Sequence, residues 1–426
     1  MKILVTGASG LIGSEICARL VCEGHNVVRL RHRPPQVPDQ STVVVNMARA
    51  VRPQDWVPHL IGVDAVVNCA GVLQDSASED THEVHSASAA ALFFACERVA
   101  IRKVIHFSAI GVDREQPSAF SASKLAGDES LMERDLDWVI LRPSVVLGRP
   151  AFGASALFRG LAALPVLPVM SATGSLQVVQ LDDVVATVIF MLRPKSPSHM
   201  ALELAGPETL AMTEIVERYR RWLGWKQARK IVLPVWAGRI LYRFGDLAGW
   251  LGWRPPVRTN AAREIARGAT GDPQPWTMTT GIHPKSLSSA LAAAPATVQE
   301  RWFAGLYFIK PVIFLALPIF WIMTGIVSLT TGWRSGVDIL IDTVAGGLAH
   351  WIVAVGAGAD VIIGTLIAWR PTSQIGLWGA IATSLFYAIA GTVLRPDLWN
   401  EPLGPLMKIL PILALHFVAL AVLEER

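Results

Sequence analysis

The chain has 426 residues, of which 52% are hydrophobic and 17% charged, and its mean hydropathy is +0.42. Soluble domains carry about 25% charged residues, and the shortfall here is local. Ten charged residues fall between Trp302 and Leu423, whereas 59 of the 72 lie in the first 301 positions. The front reads as a water-soluble module and the back as a membrane segment. A net charge of +4 without any Lys/Arg block argues against a nucleic-acid partner. Cys17, Cys22, Cys69 and Cys96 form no C-x-x-C and have no histidine at ligand spacing, so buried thiols are expected, with no metal and no disulfide framework. Met1-Lys2 runs straight into an apolar strand with no signal-peptide pattern, which places the front module in the reducing cytosol.

The opening residues read as strand, glycine turn, helix and strand. Ile3 to Thr6 is a buried parallel strand, and Gly7-Ala-Ser-Gly10-Leu-Ile-Gly13 is the turn. Ser14 to Cys22 is a helix ending at Gly24, and His25 to Leu30 is a second strand. This is the context that a dinucleotide fingerprint requires, although the spacing is G-x-x-G-x-x-G rather than G-x-G-x-x-G. Two glycines permit the tight turn and the approach of backbone to a pyrophosphate. The third lets the helix pack on the strand, and the helix N-terminus offers free N–H groups. A glycine turn without a ligand is the plainer alternative. Where a site selective for NAD places an acid after the second strand, this chain has Arg29-Leu-Arg31-His32-Arg33, with no acid before Asp39. Arg31 and Arg33 point to one side and suit a 2′-phosphate, so NADP(H) is expected and NAD is the alternative.

Further landmarks follow in order. Val63 to Gly71 is a strand ending in small residues (Asn68-Cys-Ala70-Gly71), and Lys103 to Ser108 is a strand ending in serine. Phe120-Ser-Ala-Ser-Lys124 opens a helix, Leu141-Arg142-Pro143-Ser144 follows a strand, and Val179 to Val184 comes later. With the glycine turn, this order resembles the extended and atypical short-chain dehydrogenase/reductase superfamily, nearest to its branch like the accessory subunit of respiratory complex I. The resemblance covers residues 1 to about 290. It implies an α/β doubly wound parallel sheet of the Rossmann kind with a small C-terminal lobe. By that resemblance, Gly7, Gly10 and Gly13 bind the pyrophosphate, with Ser9, Leu11 and Ile12 in the same cofactor turn. Arg31 and Arg33 take the adenosine end, and Ala70 and Gly71 line the channel to the nicotinamide. Ser108 and Lys124 match the catalytic serine and lysine.

The family's proton donor is a tyrosine four residues before the lysine, and here that residue is Phe120. A phenol, with an ordinary pKa of about 10, serves as acid/base when a neighbouring ammonium favours its phenolate. Phe120 has the shape without the O–H. The four tyrosines are Tyr219, Tyr242, Tyr307 and Tyr387, none of them in this segment. Lys124 can still hold the nicotinamide ribose and Ser108 can orient a carbonyl, with a surface lysine and a strand-end cap as the structural alternatives. His85 and Asp113 are near in sequence, but neither is expected to replace the phenol. A quinone-like or flavin acceptor, taking its proton from water, needs no protein acid.

Ala151 to Met170 reads as an apolar lobe segment that is too short and proline-broken to cross a bilayer. Asp182 and Asp183 suit the start of the helix Val184 to Leu192. Thr213 to Trp225 reads as a basic, aromatic helix. With Trp236, Trp250, Trp253 and Trp276 among arginines, it points to a lobe resting on lipid headgroups. Ser286 to Thr297 reads as a linker. Four apolar stretches follow: Pro311 to Trp333, Thr343 to Trp369, Pro371 to Leu394, and Ile409 to Leu423, the last extended to Leu403 with Lys408 snorkelling. Charges near the span ends barely discriminate the two sides, with Arg301, Lys310, Arg370 and Arg426 against Arg334, Arg395 and Lys408. The cytosolic orientation rests on the nucleotide argument. Span count, texture and the Asp360-to-Gly364 pattern resemble a DoxX-like membrane domain, which implies a link to quinone chemistry. An ionisable residue within a span is costly and marks a site, so Asp360 is the candidate for a headgroup or quinone oxygen or for a proton relay. An internal hydrogen bond to a neighbouring span is the alternative. Asp338 and Asp342 read as polar flank.

The expected division is a Rossmann domain at 1–190, a substrate-facing lobe and linker at 191–297, and a four-helix transmembrane bundle at 298–426. The leading reading is a multi-pass protein of the cytoplasmic membrane that binds NADP(H) and works as an oxidoreductase or isomerase. Its substrate would be lipophilic, quinone-like or isoprenoid-like, and its surroundings membrane lipids. A non-catalytic nucleotide-bound scaffold or redox sensor with a partner in a membrane complex is the alternative from another class. A transporter with a regulatory domain ranks third.

Overall fold

The computed structural model describes residues 1–34, 37, 39–72, 80–115, 117–170, 173–253, 255–402 and 404–424. The chain forms two compact units, one of residues 1–246 and 255–304, the other of residues 247–254 and 305–426.

The first unit is built on a seven-stranded parallel sheet. In chain order its strands are β1 (Lys2–Thr6), β2 (Asn26–Arg31), β3 (Thr42–Val44), β4 (Ala65–Asn68), β5 (Lys103–Phe107), β6 (Asp137–Pro143) and Met200–Leu204. Their order across the sheet is Met200–Leu204, β6, β5, β4, β1, β2, β3. Central strands buried on both faces read as continuous apolar runs, and side chains alternate between two cores. Ile3, Val5, Val67 and Ile105 pack with the helices α1 (Leu11–Cys22) and Leu181–Met191 on one face. Leu4, Val66, Val104 and Ile140 pack with the helix Ser88–Arg98 on the other. β1 pairs with β2 on one side and β4 on the other, so the order reverses there. Open α/β sheets bind ligands at such a switch point, beyond the carboxyl ends of the strands.

The lobe differs from expectation in three places. Trp276 does not face headgroups: it is fully buried and donates its indole N–H to Thr187 Oγ1 at 2.9 Å, filling the sheet's core. The basic helix, Met212–Trp222, is pinned to its own unit by buried Tyr219 and by Arg220, which donates to the carbonyls of Ala162 (2.6 Å) and Leu164 (2.7 Å). The segment read as a linker holds a helix, Leu287–Ala293, because Ser286 caps it by accepting from the Ser289 amide. Cys22 is exposed, unlike the buried Cys17 and Cys96.

Among the described residues, the second unit holds three helical stretches long and apolar enough to cross a membrane, Ile309–Leu329, Gly346–Ala368 and Arg370–Leu394. A fourth apolar helix, Ile409–Leu423, has 15 residues. Leu403, needed to lengthen that fourth stretch, and Arg426 lie outside the described residues. Asp338 belongs to an additional helix, Trp333–Ile341. Close helix contact depends on small residues: a Cβ at Gly325 would lie 2.5 Å from the Ala357 carbonyl oxygen. Leu315, Ile319, Trp351, Val355, Phe386 and Ile389 point outward, an apolar surface suited to lipid.

Candidate functional site

β1 ends at the turn that starts α1. Gly7 takes φ +62°, and a Cβ there would sit 2.8 Å from the Cys69 carbonyl oxygen, so only glycine fits. Gly10 caps α1 in extended conformation without any side-chain bond, and no acid lies in the first turn. The Leu11, Ile12 and Gly13 amides therefore belong to the unpaired set at a helix start. A Cβ at Gly13 would meet the Gly7 carbonyl oxygen at 2.3 Å, while one at Gly10 would meet only that oxygen, at 3.1 Å. Backbone thus blocks a side chain at Gly7 and Gly13, while Gly10 has one close neighbour, the Gly7 carbonyl. These residues fit a dinucleotide pyrophosphate.

At the end of β2 the arginines have different partners. Arg29 pairs with Asp39 at 3.0 Å and with Ser41 at 2.5 Å. Asp39, the first acid after the strand, is thus occupied, and the Ser41 hydroxyl and amide hold its carboxyl down at about 2. The Nε of Arg31 is buried with no hydrogen-bond partner among the described residues, and Arg33 is exposed one step beyond. Arg31 thus keeps a buried donor without a protein partner among the described residues.

The helix Ala119–Met132 starts where Ser118 accepts from the Ser121 amide at 3.0 Å. Its first turns deliver Lys124 inward. Nζ donates to the carbonyls of Phe107 (2.9 Å) and Ala70 (3.3 Å), and a Cβ on Gly71 would lie 3.2 Å from it. The bare Gly71 backbone therefore lies directly against the Lys124 ammonium. Burial lowers the ammonium pKa to about 8, against the opposing pull of Asp128. The half-buried Phe120 ring packs edge-on against His85 at 5.4 Å. His85 sits on a π-helical turn, Glu83–Ala87. It accepts the Val72 amide at Nε2 (2.9 Å), which leaves its Nδ1–H for Ser123 Oγ at 2.9 Å. Ser123 in turn donates to the Phe120 carbonyl. Burial and the Lys124 charge push the imidazole down to about 2. It is a neutral brace for the loop.

Ser108 is engaged within the protein. Its hydroxyl donates to Asp128 Oδ2 at 2.9 Å, an oxygen that also receives Arg142 Nε and Nη2 at 3.1 and 3.0 Å. Arg142 reaches Asp113 at 2.6 Å with its remaining nitrogen. Asp128 is fully buried, and desolvation raises its pKa against these donors. Below it, His106 accepts from Asn68 Nδ2 at 3.0 Å, and Asn68 accepts from Thr6 Oγ1 at 2.5 Å. His106 Nε2 faces Asp128 Oδ1 at 3.5 Å. A polar chain from β1 to the loop after β5 thus underlies the expected catalytic positions. The Thr6, Asn68, His106 and Asp128 links were not read from sequence. The available signal was Asp128, one helical turn after Lys124 and hence on the same face. In the other unit, Asp360 accepts from Tyr387 at 3.0 Å, and His350 stacks on Trp333.

Residues 7–160 match the family model described as NAD(P)H-binding, and residues 318–417 that of the DoxX-like family. An uncharacterized protein of Mycobacterium tuberculosis is 28% identical over 50% of this chain, yet the match spans only 23% of that protein. A ceramide reductase of Caulobacter vibrioides is 26% identical over 54% of this chain and 73% of its own length. Among solved structures, the Bordetella bronchiseptica enzyme WbmG in complex with NAD superposes with a TM-score of 0.54, at 16% identity, over 72% of this chain and 95% of its own. That likeness is one of fold. The chain thus joins an N-terminal NAD(P)-binding domain, with a fold like that of short-chain dehydrogenases/reductases, to a C-terminal DoxX-like domain.

Proposed function

We propose that this is a membrane-anchored oxidoreductase that uses NADP(H) and acts on a lipophilic, quinone-like or isoprenoid-like substrate. In this reading, residues 1–190 form the nucleotide domain, 191–297 the substrate-facing lobe and 298–426 a four-span anchor in the cytoplasmic membrane. The nucleotide domain lies on the cytosolic side. The observation that carries it is the glycine turn: unpaired amides at the start of α1, no acid in its first turn, and backbone too close at Gly7 and Gly13 for any side chain. Gly7, Ser9, Gly10, Leu11, Ile12 and Gly13 hold the pyrophosphate, and Ala70 and Gly71 flank the route to the nicotinamide. The preference for a 2′-phosphate rests on Arg31, whose Nε lacks a partner among the described residues, with Arg33 beyond it. Similarity to a protein named ceramide reductase supports a lipophilic substrate.

The nicotinamide supplies or accepts hydride when bound. Of the three Lys124 ammonium N–H groups, two go to the Phe107 and Ala70 carbonyls and one is kept for the nicotinamide ribose. Phe120 has no proton to give, and those of Ser108 and His85 are committed to Asp128 and Ser123. Such a site suits an acceptor whose reduced form takes its proton from water, a quinone rather than a simple ketone. The same residues favour one other reading, a nucleotide-bound scaffold or redox sensor within a membrane complex.

Calorimetry on the detergent-solubilised chain tests the nucleotide claim. NADPH binds more tightly than NADH, and Gly10→Trp abolishes both. Oxidation of bound NADPH by a short-chain quinone supports the enzyme. Tight binding without turnover on any acceptor selects the scaffold, and no binding of either nucleotide at millimolar concentration overturns both.

A further inference from the structure

The apolar unit contains a polar pocket that the nucleotide reading does not use. Its first three apolar helices and the fourth, shorter one surround a cavity of about 70 Å³, room for about two water molecules at ~30 Å³ each. Its floor is polar and deeply buried: Asp360 is 3% and Ser384 4% exposed. Its mouth is apolar, with Phe320 exposed and Ile409 and Ile412 half-buried. In a bilayer no bulk water reaches such a floor, so its polar atoms need partners from protein or ligand.

The available bonds leave a definite remainder. Tyr387 donates to Asp360 Oδ1 at 3.0 Å, while a carboxyl group has about four acceptor positions. The Trp321 indole N–H is turned to His416 at 2.9 Å, and Thr324 donates back to the Phe320 carbonyl at 2.7 Å. Asp360 Oδ2 and the Ser384 hydroxyl therefore face the occupant. One hydroxyl group matches both, donating to the carboxylate and bonding Ser384. The volume admits a head and no more, so the remainder of the molecule must lie past the apolar mouth.

We propose that this cavity binds the hydroxyl head of a lipid-soluble alcohol or phenol, with Asp360 and Ser384 as its polar contacts and Phe320, Ile409 and Ile412 against its chain. The claim does not depend on nucleotide binding. It is tested by photolabelling the full chain in phosphatidylcholine vesicles with an octanol that carries a diazirine on its chain. Adducts concentrate at 320–324, 384–387 and 409–412, and excess decanol removes them while decane does not. Asp360→Leu and Ser384→Val each lower labelling by about tenfold, as the loss of a buried hydrogen bond does. Helix content and elution volume stay unchanged, and if Asp360→Leu does not fold, Ser384→Val decides alone. Labelling spread evenly along the helices, equal labelling of the folded variants, or competition by decane or decylamine matching that by decanol overturns the proposal.

Discussion

The Ser108 hydroxyl lies 2.9 Å from Asp128 Oδ2, and the same oxygen holds Arg142. The serine expected to touch substrate is thus the end of a buried ion-pair network. Removing one partner of such a pair leaves an uncompensated charge, which costs about 3–5 kcal/mol. Asp128→Ala and Arg142→Met each destabilise the protein by that amount in denaturant titrations, and the double variant by less than the sum. Asp113 is half exposed, so Asp113→Ala costs under about 1 kcal/mol. Additive losses at Asp128 and Arg142 would show that the two do not act together.

Phe120 places a ring where the short-chain dehydrogenases/reductases that the sequence resembles have a phenol, and it packs edge-on against His85. Phe120→Tyr restores the O–H beside an ammonium already poised near neutrality. General acid catalysis contributes about 10²–10⁴-fold, so NADPH-dependent reduction of a long-chain ketone rises by at least about 100-fold, while NADPH affinity is unchanged. Unchanged turnover with tight nucleotide binding would mean that the missing phenol is not what limits the site.

Two glycines separate cofactor geometry from backbone strain. Gly13→Ala drives a Cβ to within 2.3 Å of the Gly7 carbonyl oxygen and deforms the turn, so NADPH affinity falls by more than about tenfold. Gly24 has φ +82° with nothing within 4 Å of a Cβ. Gly24→Ala therefore costs about 1–2 kcal/mol in stability and leaves affinity as it was. Calorimetry beside thermal melting distinguishes the two, and equal affinity losses would remove the turn from the binding site.

Sequence was most informative where local chemistry decides structure. Gly7, Gly10 and Gly13 lie between buried strands, and Ser118 precedes Phe120 and Lys124 by a fixed register, so turn and helix could be placed without tertiary information. The runs from Pro311 to Leu394 carry so little charge that composition alone separates them from the rest. Long-range polar pairing was not legible. Asn68, His106 and Asp128 lie on separate elements, and only the sheet brings them together. Trp276 shows the same limit. A tryptophan among polar residues looks interfacial, yet it fills a core formed by helices distant in sequence. The helix Leu287–Ala293 escaped because its alanines and serines carry no hydrophobic period, and its cap at Ser286 was the one local sign.

Arg31 and Arg29 lie two residues apart on β2 but have different roles, since Arg29 is bound to Asp39. Arg31→Ala lowers NADPH affinity by about 10–100-fold, the loss of a charge-assisted contact, and leaves NADH affinity alone. Arg29→Ala loosens the Asp39 loop instead and changes both nucleotides alike. A parallel loss for the two nucleotides in Arg31→Ala would assign the arginine to the fold.

Lys124 gives the site a pH dependence of known sign. Its pKa falls from an ordinary 10.5 to about 8 because the ammonium is desolvated. The folded state therefore releases the proton first, so the buried charge opposes folding below pH 8 and that cost is relieved as pH rises toward 10.5. Under the proposed function, nucleotide binding has the opposite slope, because the ammonium is the form that donates most strongly to a ribose hydroxyl. The other groups around it do not change charge in this interval. His85 is neutral, and the Cys69 thiol is pushed up by burial. NADPH affinity is flat below pH 7 and declines through pH 8 by up to about tenfold per unit. Lys124→Met binds more weakly and shows no break. Calorimetric titrations from pH 6.5 to about 9 read both curves, and parallel wild-type and variant profiles would place the lysine outside the cofactor's reach.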